Sequence, residues 1–229
     1  MKFQILARRE LSLKPVDLDW YIQYVSNVIV SVNLEHKQLK PPQHQIIKRD
    51  KIEIAILGYT IESSGNTNFY IKNIVQSLND KNIVQSLNDK VKEITLNFRR
   101  IRLIVAAGCV SLETAKEIAT KTSSIHIVLS SCSRKLMWHD DHPPKDMYRH
   151  GAFPLKINNR DGSEVLVCHN FGTNQFLGEL DVTLNEEGKI NSTSGKIIHI
   201  NNTLEENAAL ADLLKNEPES SAVFTVRTH

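Results

Sequence analysis

A chain of 229 residues is long enough for one large domain or two small ones with a sizeable core. Its 41% hydrophobic and 24% charged residues exclude a mainly disordered polymer. A net charge of +2 gives no field that would draw it to nucleic acid or to an anionic membrane, so neither is expected as a partner. Three cysteines, Cys109, Cys132 and Cys168, are too few for a disulfide scaffold and lack the paired spacing of a structural zinc site; they leave the redox compartment open.

The first residues, MKFQILARREL, carry one basic residue and then a short apolar stretch interrupted by Gln4. A signal peptide needs a longer apolar region, and no segment approaches the length of a membrane span. Residues 2–7 read as a short strand. Asp17 and Asp19 in a first turn, with Trp20, Ile22, Tyr24 and Val25 at apolar positions, predict a helix over 16–25. The β-branched run Val28–Val32 predicts a buried strand. Ile46–Lys48 and Lys51–Leu57 flank Arg49-Asp50, with alternation at Ile52, Ile54 and Ile56, and so predict a hairpin.

Lys72–Asp80 reads KNIVQSLND, and Lys81–Asp89 repeats it. One perfect short duplication is a local insertion rather than a solenoid. In a continuous helix it would rotate everything downstream by roughly half a turn. Ile83, Val84, Leu87, Val91 and Ile94 share one helical face, so Ile74, Val75 and Leu78 would point away from it, and a break near Asn79-Asp80 is expected. Arg99, Arg100 and Arg102 then read as the solvated start of a strand. Leu103–Ala107 is a strand, Glu113–Lys121 a helix and Ile125–Leu129 a strand; the two strands end in the loops Gly108-Cys109 and Ser130-Ser131-Cys132. Open α/β sheets place their ligands at such strand ends.

Residues 130–153 read as a long polar loop. The remainder is strand: Leu155–Ile157, Val165–Asn170, Phe176–Leu184 and Ile190–Ile200, with turns at Asn158–Gly162 and Glu186–Gly188, before a last helix over Glu205–Leu214. Parallel-type units followed by a meander predict packed sheets with helices outside. Asn191-Ser192-Thr193 and Asn201-Asn202-Thr203 are N-glycosylation sequons, which matter only in a secretory pathway.

Several stretches are collinear with one family. Ile54–Thr60, IAILGYT, is similar to the "IGIVGYT" strand of the 5'-nucleotidase/apyrase branch of the calcineurin-like metallophosphoesterases. Ile104–Gly108 with Glu113–Ala119 resembles that family's "IIALGHSG" and following helix, and Ile127–Ser133 stands in the place of "VVVGGHS". Pro143-Pro144-Lys145, Asp161-Gly162 and Phe176-Leu177-Gly178 continue the match in order. The resemblance runs from about residue 5 to residue 215. It implies an α/β fold of the four-layer αββα metallophosphoesterase type, lacking its opening strands. It divides the chain into a partial catalytic domain, 1–215, and a tail, 216–229, toward a C-terminal domain expected to be missing. It also implies a secreted or cell-surface setting, and an uncovered sheet edge prone to self-association.

That family hydrolyses nucleoside 5'-phosphates with two divalent metals, zinc or similar, clamping the phosphate and activating a water. Carried over by the resemblance, Ala7–Ser12 corresponds to "GNHEFD". Arg8 then replaces an amide ligand, Arg9 the catalytic histidine and Ser12 its supporting aspartate. Cys109 replaces a ligand histidine at "GHSG"; Cys132 and Arg134 replace two more at "GGHS" and just after it. Guanidinium has no lone pair to offer a cation. No metal, no cofactor and no catalytic residue are therefore expected, and the chain is expected to be inert.

Arg8, Arg9 and Arg134 admit a functional reading as a phosphate clamp that would make a nucleotide the partner. Drift after lost activity is the plainer reading and is preferred, and a decayed or partial gene product stays open beside it. Cys109 and Cys132 follow adjacent strands and could form a disulfide or hold one soft metal; buried free thiols are expected. His139-Asp140-Asp141-His142 reads as a solvated loop rather than a metal cluster. Cys168 and His169 point to opposite faces of a strand and cannot converge on one ion. Trp20 and Trp138 show no base-stacking pattern, and Trp20 is expected in the core.

Overall fold

The computed structural model describes residues 30–32, 42–49, 52–59, 80–172, 175–185, 187, 189–201, 205, 207–209 and 211–212. The strand expected at 2–7, the helix at 16–25 with Trp20, residues 72–79 of the first repeat, and Arg8, Arg9 and Ser12 lie outside them. The chain divides into two units, Met1–His199 and Ile200–His229. In the second, Ala208, Ala209, Ala211 and Asp212 are helical where a helix is predicted, and the Ala211 N–H donates to the Asn207 carbonyl at 2.9 Å.

In the first unit the predicted hairpin forms. β1 (His44–Arg49) pairs antiparallel with β2 (Ile52–Tyr59), Arg49 facing Ile52 across the turn. Residues 30–32 are buried, but they make isolated bonds rather than a ladder. The Val32 N–H donates to Gly58 O at 2.8 Å and the Ser31 N–H to Pro42 O at 3.0 Å. Gly58 permits that approach, because a Cβ there would sit 1.9 Å from Val30 O.

The helix α1 (Asp80–Asn97) carries the second repeat copy. Its Ile83, Leu87, Val91 and Ile94 are at most 3% exposed, the stripe that their spacing of four, four and three requires. β3 (Ile101–Cys109), α2 (Leu112–Lys121) and β4 (Ile127–Ser133) follow. The Ser111 side chain caps α2 by accepting from the Thr114 N–H at 3.2 Å. At the other end, the Thr122 hydroxyl and N–H both donate to Ile118 O, at 2.7 and 3.0 Å. Leu112, Ala115, Ile118 and Ala119 form its buried face.

Beyond β4 the reading of 130–153 as one polar loop needs correction. β5 (Leu136–Trp138) and β6 (Arg149–Ala152) pair in parallel, and Leu136, Met137 and Trp138 are buried. A run of three apolar residues is too short to show a period, yet it covers part of the core.

β7 (Leu155–Asn158), β8 (Glu164–Phe171), β9 (Phe176–Leu184) and β10 (Ile190–His199) lie where strands are predicted. The main sheet has the order β1-β2-β3-β4-β8-β7, with β2, β3, β4 and β8 mutually parallel and β1 and β7 antiparallel at its ends. β9 and β10 form a separate antiparallel pair. The inner strands are buried in unbroken runs rather than alternately, Leu103–Ala107 in β3 and Val165–His169 in β8, as strands covered on both faces must be. α2 packs on β4, β7 and β8, α1 on α2 and β3, while β5 and β9 pack on β8. This is the expected α/β class.

Candidate functional site

Four parallel strands bring their C-terminal ends to one edge. Both central strands run further than predicted, β3 through Cys109 and β4 through Ser133, because pairing to neighbours holds these small residues in the ladder. Cys109 pairs in register with Ser131. Next to it β4 is irregular: Ser130 faces His169 and Ser133 faces Phe171, three steps on one strand against two on the other. The extra residue is a β-bulge, and Cys132 within it has φ 95°, a conformation few residues with a Cβ adopt.

The bulge has two chemical consequences. In a regular strand Ser130 and Ser133 would point to opposite faces. The inserted residue restores the parity, and both hydroxyls reach His169: Ser130 Oγ lies 2.7 Å from Nδ1 and Ser133 Oγ 2.8 Å from Nε2. One hydroxyl donates to the unprotonated ring nitrogen while the ring N–H donates to the other. His169 is completely buried, and burial pushes its imidazole down to about 4, with the Ser133 backbone and the Glu113 carboxylate opposing the shift in part. It is a neutral cross-strand pin at neutral pH, with neither nitrogen free.

The second consequence corrects the expectation of free thiols. Cys109 and Cys132 form a disulfide, with Cα atoms 5.4 Å apart. Cys109 is buried and Cys132 exposed. Only Cys168 is a free cysteine; burial raises its thiol to about 12. Beside the disulfide, Tyr59 at the end of β2 is fully buried, burial holding its phenol above the ordinary range. Gly108 makes room for it: a Cβ there would meet the Tyr59 ring at 2.2 Å. Arg134 is exposed just past the bulge, and Lys135 is ion-paired with Glu113 in the first turn of α2.

Among the described residues, no group of three or more His, Cys, Asp or Glu is placed to hold a metal. The 139–142 cluster is dispersed. Asp140 accepts from the His142 N–H at 2.7 Å and the Trp138 indole at 3.1 Å, Asp141 pairs with Arg149, and His139 accepts from the Ile197 N–H at 3.3 Å. A cleft of about 470 Å³ lined by Thr95, Phe98, Arg99, Arg102, His126 and Glu164 lies at the opposite edge, where β3, β4 and β8 begin. No helix among the described residues is long and apolar enough to cross a membrane.

The sequence reading overlooked Ser130, Ser133 and His169 as a unit. A serine-rich strand end and one histidine on a strand were visible, but not the bulge that joins them.

The parallel sheet with its flanking helices is an α/β fold of the metallophosphoesterase type. No protein-family model matches the chain. The 5'-nucleotidase of Rattus norvegicus is 24% identical over 205 residues, covering 84% of this chain and 34% of its own length. A snake venom 5'-nucleotidase of Naja atra is 26% identical over 110 residues, 48% of this chain and 21% of that protein. In structure, the 5'-nucleotidase precursor from Thermus thermophilus superposes with a TM-score of 0.74 at 18% identity, over 93% of this chain and 42% of that one. The chain is thus similar in sequence and in fold to 5'-nucleotidases. It spans about a third of the length of the rat protein.

Proposed function

We propose that this chain is a 5'-nucleotidase-like protein that has lost the two-metal hydrolysis of nucleoside 5'-phosphates. One observation carries the reading. The two positions where the resemblance expects metal-binding histidines, Cys109 and Cys132, are joined to each other. Sulfurs in a disulfide have no thiolate to give a cation, and Arg134 alongside them is a guanidinium. The donors present do not fit a pair of divalent ions.

The residues 1–215 are taken as the counterpart of part of the relatives' catalytic domain, with 216–229 as the segment that follows it. A secreted or cell-surface setting is supported by the disulfide, which persists in oxidising compartments, and by the likeness to a venom protein. The sequon at Asn191 adds support. It is exposed and unpaired at a bulge between Ile190, opposite Leu184, and Ser192, opposite Thr183. Asn201 heads the second sequon.

The test is an AMP and ADP hydrolysis assay with zinc, manganese or calcium added under non-reducing conditions, with bound metal counted on the same samples. No release of phosphate and no stoichiometric metal are expected. Turnover of AMP together with two tightly bound cations per chain overturns the reading.

A further inference from the structure

We propose that Cys132 is a site of thiol–disulfide exchange, taking a small anionic thiol of the glutathione class as a mixed disulfide. The two sulfurs of the bond differ in what can reach them. Cys109 is 6% exposed and sits inside the sheet, paired through Ser131. Cys132 is exposed on the bulge, where the strand ladder is interrupted. A thiolate must approach the sulfur it attacks along the S–S axis, and of the two residues Cys132 is the one exposed to solvent.

Three further features favour this sulfur. The Ser131 hydroxyl lies 3.9 Å from Cys132 Sγ, a polar neighbour on the solvent side. Arg134, exposed two residues on, adds positive charge to the neighbourhood, which favours an anionic thiol. At φ 95° the Cys132 backbone lies where a residue with a Cβ is strained. Exposed and strained disulfides are the exchangeable ones, whereas buried structural ones resist.

The chemistry balances with thiol as the sole reductant. The incoming thiolate forms a bond to Cys132 Sγ, the Cys109–Cys132 bond breaks, and its electron pair leaves on Cys109 Sγ, which takes a proton. A second thiolate attacking the incoming sulfur releases Cys132 as a thiolate, which takes a proton; the two small thiols leave as their oxidised disulfide, having given two electrons to the Cys109–Cys132 pair. The inference stands on the disulfide alone and is independent of any nucleotide chemistry.

The experiment incubates the folded chain with reduced glutathione, quenches with acid and maps the adduct by peptide mass spectrometry, free thiols being capped with maleimide. One glutathionyl group on Cys132, a capped Cys109 and an uncapped Cys168 are expected. An adduct on Cys109, or exchange only at denaturant concentrations that unfold the chain, overturns the proposal. In the variants, Cys109→Ser should take the same adduct from oxidised glutathione, and Cys132→Ser should react at Cys109 at least about tenfold more slowly. Equal rates in the two would also overturn it. Should either variant fail to fold, the wild-type mapping still decides.

Discussion

Acid should unfold this protein partly through one buried imidazole. His169 is completely buried, and its folded value is about 4 against an ordinary value of 6.5. Below the ordinary value the unfolded chain takes up a proton that the folded chain refuses, so the unfolded state gains as pH falls. The contribution of His169 is full above about 6.5, declines as pH drops through the window, and is exhausted near 4. A difference of about 2.5 units corresponds to about 3 kcal/mol. His126, whose value is also lowered by burial, adds a slope of the same sign. Glu113, held down by its hydrogen bond from Lys135, adds its loss only lower, as carboxylates protonate.

The comparison that isolates His169 is His169→Gln, an amide neutral at every pH. Urea denaturation followed by circular dichroism should show the variant weaker at neutral pH by about 1–3 kcal/mol, because one serine hydroxyl loses its partner. It should also show the wild type losing about 3 kcal/mol more than the variant between pH 6.5 and 4. Parallel pH slopes for the two proteins would refute the assignment, since the ring would then be titrating alike in both states.

Two other perturbations read the same framework. Gly58→Ala places a methyl 1.9 Å from the Val30 carbonyl oxygen, a backbone atom that cannot rotate aside, and should cost about 3 kcal/mol or more by urea titration; a neutral result would remove the close approach of residues 30–32 to β2. Replacing Cys109 and Cys132 together by serine releases a cross-link of sequence separation 23 and should lower stability by about 3 kcal/mol, with a correspondingly lower melting temperature.

What the sequence disclosed followed from periodicity. Alternation at Ile52, Ile54 and Ile56 gave the β1–β2 hairpin, and the stripe Ile83–Leu87–Val91–Ile94 gave the buried face of α1. Strand ends were harder. Gly108, Cys109 and Ser130–Ser133 carry weak strand preference, and ladders from both neighbours hold them extended, a tertiary effect that no local window contains. The pairing of Cys109 with Cys132 depended on register. Adjacent strands were evident, but whether the sulfurs met, or merely lay buried, turned on which β4 residue faced Cys109. Leu136–Trp138 failed for a simpler reason: three consecutive apolar residues are shorter than a helical turn and show no strand alternation.

The bulge links what this site lacks to what it has. The metal-binding histidines that the resemblance places at these positions would tie the two strand ends together through an ion. Here an extra residue in β4 turns Cys132 toward Cys109 and, by the same change of parity, turns Ser133 onto the face where Ser130 already meets His169. A covalent link between β3 and β4 and a hydrogen-bonded link between β4 and β8 thus come from one backbone irregularity. Neither link needs a cation: the sulfurs are spent on each other, and both His169 nitrogens on hydroxyls. Removing the bulge would strand Ser133 on the wrong face and leave one nitrogen of a fully buried imidazole unpaired. The strand-end site is held together as a structural unit by one disulfide and one buried imidazole.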